Sequence, residues 1–145
     1  MYTDGAAKGN PGPGGYGVVL MSGPHYKELS EGFVNTTNNR MELLAVIAGL
    51  EALKNKGVKV TVYSESKYVV DAVEKGWLVS WVKKDFKGKK NIDLWKRYLN
   101  VSKQHRVSFV WVKGHAGNKY NERCDQLAVA AAESGDLKED VGYLN

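Results

Sequence analysis

The stretch TTNNRMELLAVIAGLEALKNKGVKVTVYS, residues 36–64, changes its hydrophobic period once. In the first part Leu43, Val46, Ile47, Leu50 and Leu53 recur at three- and four-residue steps, the spacing of an α-helix with one apolar face. Asn39 is placed to cap the start of this helix and Gly57 to end it. From residue 58 the period drops to two. Val58, Val60 and Val62 alternate with other residues, which predicts a strand over 58–64. Upstream, residues 16–21 and 26–34 read as two strands of a hairpin, entered through the turn-rich NPGPGG at 10–15. Downstream come a short helix over 66–75, a partly helical basic region and a helix over 91–104. A strand over 106–112 follows, then a loop and helix within 114–135, with Cys124, Leu127, Ala128 and Ala131 on the inner stripe. A hairpin followed by alternating helices and strands indicates an α/β fold, a mixed sheet with helices packed on it. Ligands of such sheets bind beyond the carboxyl ends of parallel strands. With no repeat and no linker, residues 1–145 are expected to form a single domain.

Composition narrows the function classes. Hydrophobic content of 43% and charged content of 26% are ordinary for a globular chain. The lone Cys124 cannot form an internal disulfide and suits a reducing compartment. No apolar run approaches the ~18 residues of a membrane span, and the opening MYTDGAAKGNPGPGG has no secretory apolar segment. A cytoplasmic protein without membrane contact is expected. The net charge of +5 is unevenly placed: residues 75–97 hold eight basic and two acidic side chains, net +6, while the remainder holds thirteen and fourteen, net −1. Such a segment is either a solvated lysine-rich face or a polyanion footprint, since clustered lysines gain free energy by releasing phosphate counterions.

Four acids lie at the ends or starts of predicted elements: Asp4 at a first strand, Glu42 in the first turn of the long helix, Glu65 directly after the strand over 58–64, and Asp125 on the last helix. Each has a structural alternative of at least equal weight. Asp4 suits a turn before Gly5, Glu42 a capping box with Asn39, Glu65 a cap of the next helix, and Asp125 a solvated surface. Taken together they would repel one another if the elements converge, and a divalent cation offsets that repulsion. Hard oxygen donors suit magnesium or manganese. No Cys/His cluster suggests zinc, and GNPGPGG lacks the Gly-Lys-Ser/Thr of a P-loop. Carboxylates with two magnesium ions cleave phosphodiesters by in-line attack of water.

Five motifs, YTDGA with GNPGPGGYG, TTNNRMEL, SESKYV, KNIDLW and VKGHAGNKYNERCDQLA, occur in an order that closely resembles a bacterial-type (type 1) ribonuclease H from residue 2 to about residue 143. The resemblance implies a ribonuclease H-like fold: a mixed five-stranded sheet, order 3-2-1-4-5, flanked by α-helices. It implies an endonuclease that hydrolyses the RNA strand of RNA–DNA hybrids with two magnesium ions, manganese as a substitute, leaving 5′-phosphate and 3′-hydroxyl ends. Asp4, Glu42, Glu65 and Asp125 match its metal-binding and catalytic carboxylates, and His115 matches a mobile histidine that assists proton transfer or product release. Asn10, Asn38 and Asn39 match minor-groove contacts, where the 2′-hydroxyl distinguishes RNA from DNA. Thr37 and Asn91 match a pocket for a DNA-strand phosphate, and Tyr68 and Trp77 an aromatic channel for deoxyribose. Residues 75–97 match the basic protrusion, within which Trp81 and Trp95 are expected to pack as core. The hybrid is then the partner, with no obligate protein partner and a monomer expected.

This sequence departs from the family pattern in three places. Glu65 stands where the family has aspartate, which moves the carboxylate outward by about a bond length. Only Met1, Tyr2 and Thr3 precede Asp4, so the first strand either extends past Asp4 or is cut short. The loop KDFKGKKN, 84–91, is several residues shorter than in familiar members. The first departure sets up the alternative function, a hybrid-binding protein with weak or no catalysis. A generic basic nucleic-acid module does not account for ordered motifs.

Overall fold

The computed structural model describes residues 1–114 and 118–143. Eleven elements follow in order: β1 (Tyr2–Ala7), β2 (Gly12–Ser22), β3 (His25–Thr36), α1 (Asn38–Glu51), β4 (Lys59–Ser64), α2 (Lys67–Glu74), α3 (Trp77–Lys83), α4 (Ile92–Ser102), β5 (Arg106–Trp111), α5 (Lys119–Glu133) and β6 (Leu137–Lys138). The sheet order is β5-β4-β1-β2-β3-β6. β1, β2 and β3 form an antiparallel meander, and β4 and β5 add in parallel beside β1. The expected order 3-2-1-4-5 is therefore present. The sheet also carries a sixth strand, two residues long, that pairs Leu137 with Gly32 and Lys138 with Phe33 at the β3 edge. Two residues carry no periodicity, so nothing in the sequence marks it. β1 extends past Asp4 to Ala7, the first of the two expected outcomes.

The long helix differs from its sequence reading in both caps and burial. Thr37, not Asn39, is the N-cap, and its hydroxyl oxygen accepts from the Arg40 amide at 3.2 Å. The helix ends at Glu51, well before Gly57, which has φ +71° and closes the following loop by donating to the Gln104 carbonyl at 2.8 Å. Nor is one face alone apolar. Met41, Leu44 and Ala45 are buried along with Leu43, Val46, Ile47 and Leu50, because the helix lies between the sheet and α4. Leu53 falls beyond the helix end and is half-buried.

α1 and α5 cover opposite faces of the sheet, and missing side chains set how closely they approach. A Cβ on Gly17 would lie 2.3 Å from the Cys124 carbonyl oxygen of α5. A Cβ on Gly5, the next residue of β1 after Asp4, would lie 2.4 Å from the Glu42 amide nitrogen of α1. Gly17 pairs with Asp4 in the β1–β2 ladder, so Asp4 points to the α5 side and Gly5 to the α1 side. In the protrusion, Trp95 is wholly buried, with Tyr68, Trp81 and Tyr98 against it at 5.7, 5.6 and 5.8 Å between ring centroids. Trp81 is half-buried, so both tryptophans pack as expected. Among the described residues, no helix is long and apolar enough to cross a membrane.

Gly5→Ala is expected to destabilise the protein by about 1–3 kcal/mol, because its Cβ meets backbone rather than a side chain able to move. A lowered urea midpoint at unchanged slope checks this. Gly135→Ala, which meets nothing within 4 Å, should stay within about 0.5 kcal/mol of the parent.

Candidate active site

Register brings the first two carboxylates together from different strands. Thr3 of β1 pairs with Ser64 of the parallel β4, so the next residues, Asp4 within β1 and Glu65 just past the end of β4, lie side by side. Glu42 comes from α1 above the same point. It is the fifth residue of the helix, one turn past the cap, so it is not part of a capping box. Ser66, not Glu65, caps α2, accepting from the Val69 amide at 3.2 Å. The Gly5 amide donates to Asp4 Oδ1 at 2.9 Å and also to Glu42 Oε1, so one peptide N–H holds both carboxyl groups. The Glu65 carbonyl accepts from Trp111 Nε1 at 3.1 Å, which ties the end of β4 to β5.

The electrostatics follow from this crowding. Burial raises the Asp4 carboxyl to about 6; a hydrogen bond with Glu42 opposes the rise, and the charges of Glu65 and Asp125 add to it. Glu42 is held well above the usual carboxylate range by burial and then by the charge of Asp4. Each carboxylate thus disfavours ionisation of the other. Asp125, half-buried on α5, acts on Asp4 from the opposite side of the sheet to α1. Among the described residues no three His, Cys, Asp or Glu side chains are gathered closely enough to hold an ion as they stand. Asp4 and Glu42 form a pair, with Glu65 and Asp125 within electrostatic reach. His115 lies outside the described residues.

A groove of about 840 Å³ runs between the β1–β2 loop, the start of α1, residues 89–93 and residues 142–143, and Glu42 stands one helical turn along α1 from its Asn38 and Asn39 walls. All five predicted amide and hydroxyl residues, Asn10, Thr37, Asn38, Asn39 and Asn91, line it. Asn10 Oδ1 accepts from the Asn38 amide at 2.8 Å, and Asn38 Oδ1 accepts from the Ala7 amide at 2.6 Å, which fixes loop to helix. Asn91, with φ 60°, donates from Nδ2 to the Tyr68 hydroxyl at 3.1 Å. Trp95 Nε1 donates to that hydroxyl at 2.8 Å. Tyr68 thus belongs to the groove network. Trp77 does not join it: its ring is 45% exposed, with Lys75 Nζ 5.5 Å from its centroid, and among the described residues no ring contact links it to Tyr68. Lys83, Lys84, Lys87, Lys89 and Lys90 are exposed and make no ion pair among the described residues.

Sequence reasoning did not single out Arg40, Asp93 or Tyr143, which line this groove, or Asp140, which is buried behind Arg40. Arg40 sits inside the TTNNRMEL motif, but its partners lie 53 and 100 residues away, too distant for any local pattern to reveal.

Known proteins resemble the chain in sequence and in fold. The RNase H family model matches residues 1–133. The ribonuclease H of Syntrophus aciditrophicus is 56% identical over 99% of this chain and 85% of its own length. That of Desulforamulus reducens is 58% identical over 97% and 91%. Among solved structures, LC9-RNase H1, a type 1 RNase H with the type 2 active-site motif, is 32% identical with a TM-score of 0.79, covering 90% of this chain and 70% of that one. LC11-RNase H1, solved in complex with an RNA/DNA hybrid, is 27% identical with a TM-score of 0.68, over 91% and 94% of the two chains. Matching along nearly its whole length to relatives of more than half identity, the chain belongs to the ribonuclease H family, in its bacterial type 1 branch, and is an endonuclease of the hydrolase class.

Proposed function

We propose that this ribonuclease H hydrolyses the RNA strand of RNA–DNA hybrids at Asp4, Glu42, Glu65 and Asp125, leaving 5′-phosphate and 3′-hydroxyl ends. The observation that carries the reading is the Asp4–Glu42 pair on one peptide N–H, raised by burial and mutual charge beside an amide-lined groove. An all-oxygen donor set of this charge fits two magnesium ions, with manganese as substitute. When bound, such ions supply Lewis-acid charge to the attacking, leaving and non-bridging oxygens of the scissile phosphate.

The chain's own residues do the rest. The Gly5 amide fixes the two carboxyl groups, and Trp111 fixes the backbone that presents Glu65. Asn10, Asn38 and Asn39 face the minor groove, where side-chain amides suit base edges and 2′-hydroxyls. Thr37 and Asn91 take a DNA-strand phosphate. Tyr68 and Trp77 accept deoxyribose, with Trp77 as the open member of the pair. Lys83, Lys84, Lys87, Lys89 and Lys90, which make no ion pair among the described residues, attract the backbone by counterion release. His115 takes the proton-transfer or product-release role. That LC11-RNase H1 was solved on an RNA/DNA hybrid supports the choice of substrate. The second reading, a hybrid-binding protein with weak catalysis, draws on the absence of a ready three-carboxylate cluster among the described residues, and on Glu65 in place of aspartate.

Labelled hybrid incubated with magnesium, manganese or EDTA separates the two. Cutting of the RNA strand with either ion, lost in EDTA and absent on duplex DNA, is expected. Binding without cutting favours the second reading. Glu65→Asp should raise turnover on the hybrid by about 10-fold to 100-fold, the scale of a catalytic group moved by ~1 Å. Unchanged or lower turnover would count against Glu65 as a poor fit.

A third expectation concerns stability. Asp4 binds its proton more tightly folded, at about 6 against 3.8. Its neutral form therefore favours the folded state at low pH, and that contribution is lost as pH rises from about 4 through about 6. The penalty of the ionised group is on the order of 3 kcal/mol at neutral pH. Cation-free Asp4→Asn should unfold at a higher temperature than the parent at pH 7.5, with the gap closing toward pH 4. Calorimetry in EDTA checks both.

A further inference from the structure

A buried guanidinium is tolerated only when its donors are matched. Arg40, 1% exposed in the first turn of α1, meets this with two forks. One goes to Asp140, from Nε at 2.7 Å and Nη2 at 3.0 Å. The other goes to Asp93 at the start of α4, from Nη1 at 2.9 Å and Nη2 at 2.8 Å. Asp140 is itself buried and accepts from the Thr36 hydroxyl at 2.6 Å. The residual donor capacity of Nη1 points at Asn91 Oδ1, 3.4 Å away.

That last contact decides how the Asn91 amide faces. Its oxygen is turned to a cation and its nitrogen to the Tyr68 hydroxyl. A flipped amide would set its NH₂ against the guanidinium, donor against donor. With the amide so held, one N–H is spent on Tyr68 and the other is free for an anion in the groove. Thr37 is set separately, by the helix start: its oxygen accepts from the Arg40 backbone amide, so its hydroxyl hydrogen is left to donate whatever the guanidinium does. Asp93 is partly exposed and belongs to the same helix start as Asn91, whereas Asp140 is buried. Asp140 comes from the far end of the chain and closes the second fork.

We infer that Asp140, acting through Arg40, is a positioning residue that orients Asn91 as a donor to a phosphate of the DNA strand. The inference rests on the phosphate-pocket reading of Thr37 and Asn91 given above.

The test uses hybrids carrying a single neutral methylphosphonate at successive DNA-strand linkages, with steady-state kinetics well below the unfolding midpoint. For the parent protein, one linkage is expected to raise KM about tenfold with little change in kcat, the effect of losing a hydrogen-bonded charge. Asp140→Asn should raise KM on the unmodified hybrid by a similar factor, keep kcat within about twofold, and lose its sensitivity to that linkage. A purely structural role would instead lower the folded fraction and leave the sensitivity intact. If Asp140→Asn does not fold, Arg40→Lys, which keeps the positive charge but gives up the Nη1 contact to Asn91, should likewise raise KM and lose that sensitivity. Full sensitivity in a folded variant overturns the inference. Insensitivity of the parent at every linkage overturns the phosphate-pocket reading itself, and the inference with it.

Discussion

The contact of α1 on β1 at Gly5 is the constraint on which the site depends. With no Cβ at that position, the helix backbone comes within van der Waals reach of the strand, and one amide hydrogen serves the carboxyl groups of both Asp4 and Glu42. Two acids brought this close cannot both ionise cheaply in a partly buried site. Their raised proton affinities express an unfavourable charge arrangement maintained by the surrounding sheet. β1 bears it because it is central, paired on one side with β2 and on the other with β4. What the pair lacks is positive charge, and a proton or a cation can supply it.

The same helix serves recognition. The residues that open α1, Thr37 to Asn39, line the groove, and Glu42 stands one turn further on. A single rigid element therefore sets the distance between the carboxylates and the groups proposed to read the nucleic acid, and no loop motion intervenes. Asn10 locks onto this helix start through Asn38, so the β1–β2 loop inherits the same frame. On the other side of the groove, Asn91 and Tyr68 are bound to each other and to Trp95 in the protrusion core. The lysines of residues 83–90 surround that core without acid partners among the described residues, so the basic segment is both a packed unit and an electrostatic field.

Much of this was legible because it is periodic. The Val58, Val60, Val62 alternation and the spacing of Leu43, Val46, Ile47 and Leu50 are local signals, and they located β4 and α1. The caps were harder, since Asn39 and Thr37 are both capable and only the backbone decides between them. The convergence of Asp4 and Glu65 depends on the parallel register of β1 and β4, which no local pattern states; there the motif resemblance did what periodicity could not. The Arg40–Asp140 pair escaped both routes. An arginine in a polar helix start reads as solvated, and its partner lies 100 residues later in a segment without periodicity.

The central claim is that these acids form one cation site against the hybrid. Anomalous diffraction from crystals grown with a hybrid and manganese tests it most directly. Manganese peaks are expected within coordination distance of Asp4 and Glu42, with a carboxylate of Glu65 or Asp125 turned toward them. Ordered hybrid in the groove with no manganese at Asp4 and Glu42, or with manganese held elsewhere, would contradict it.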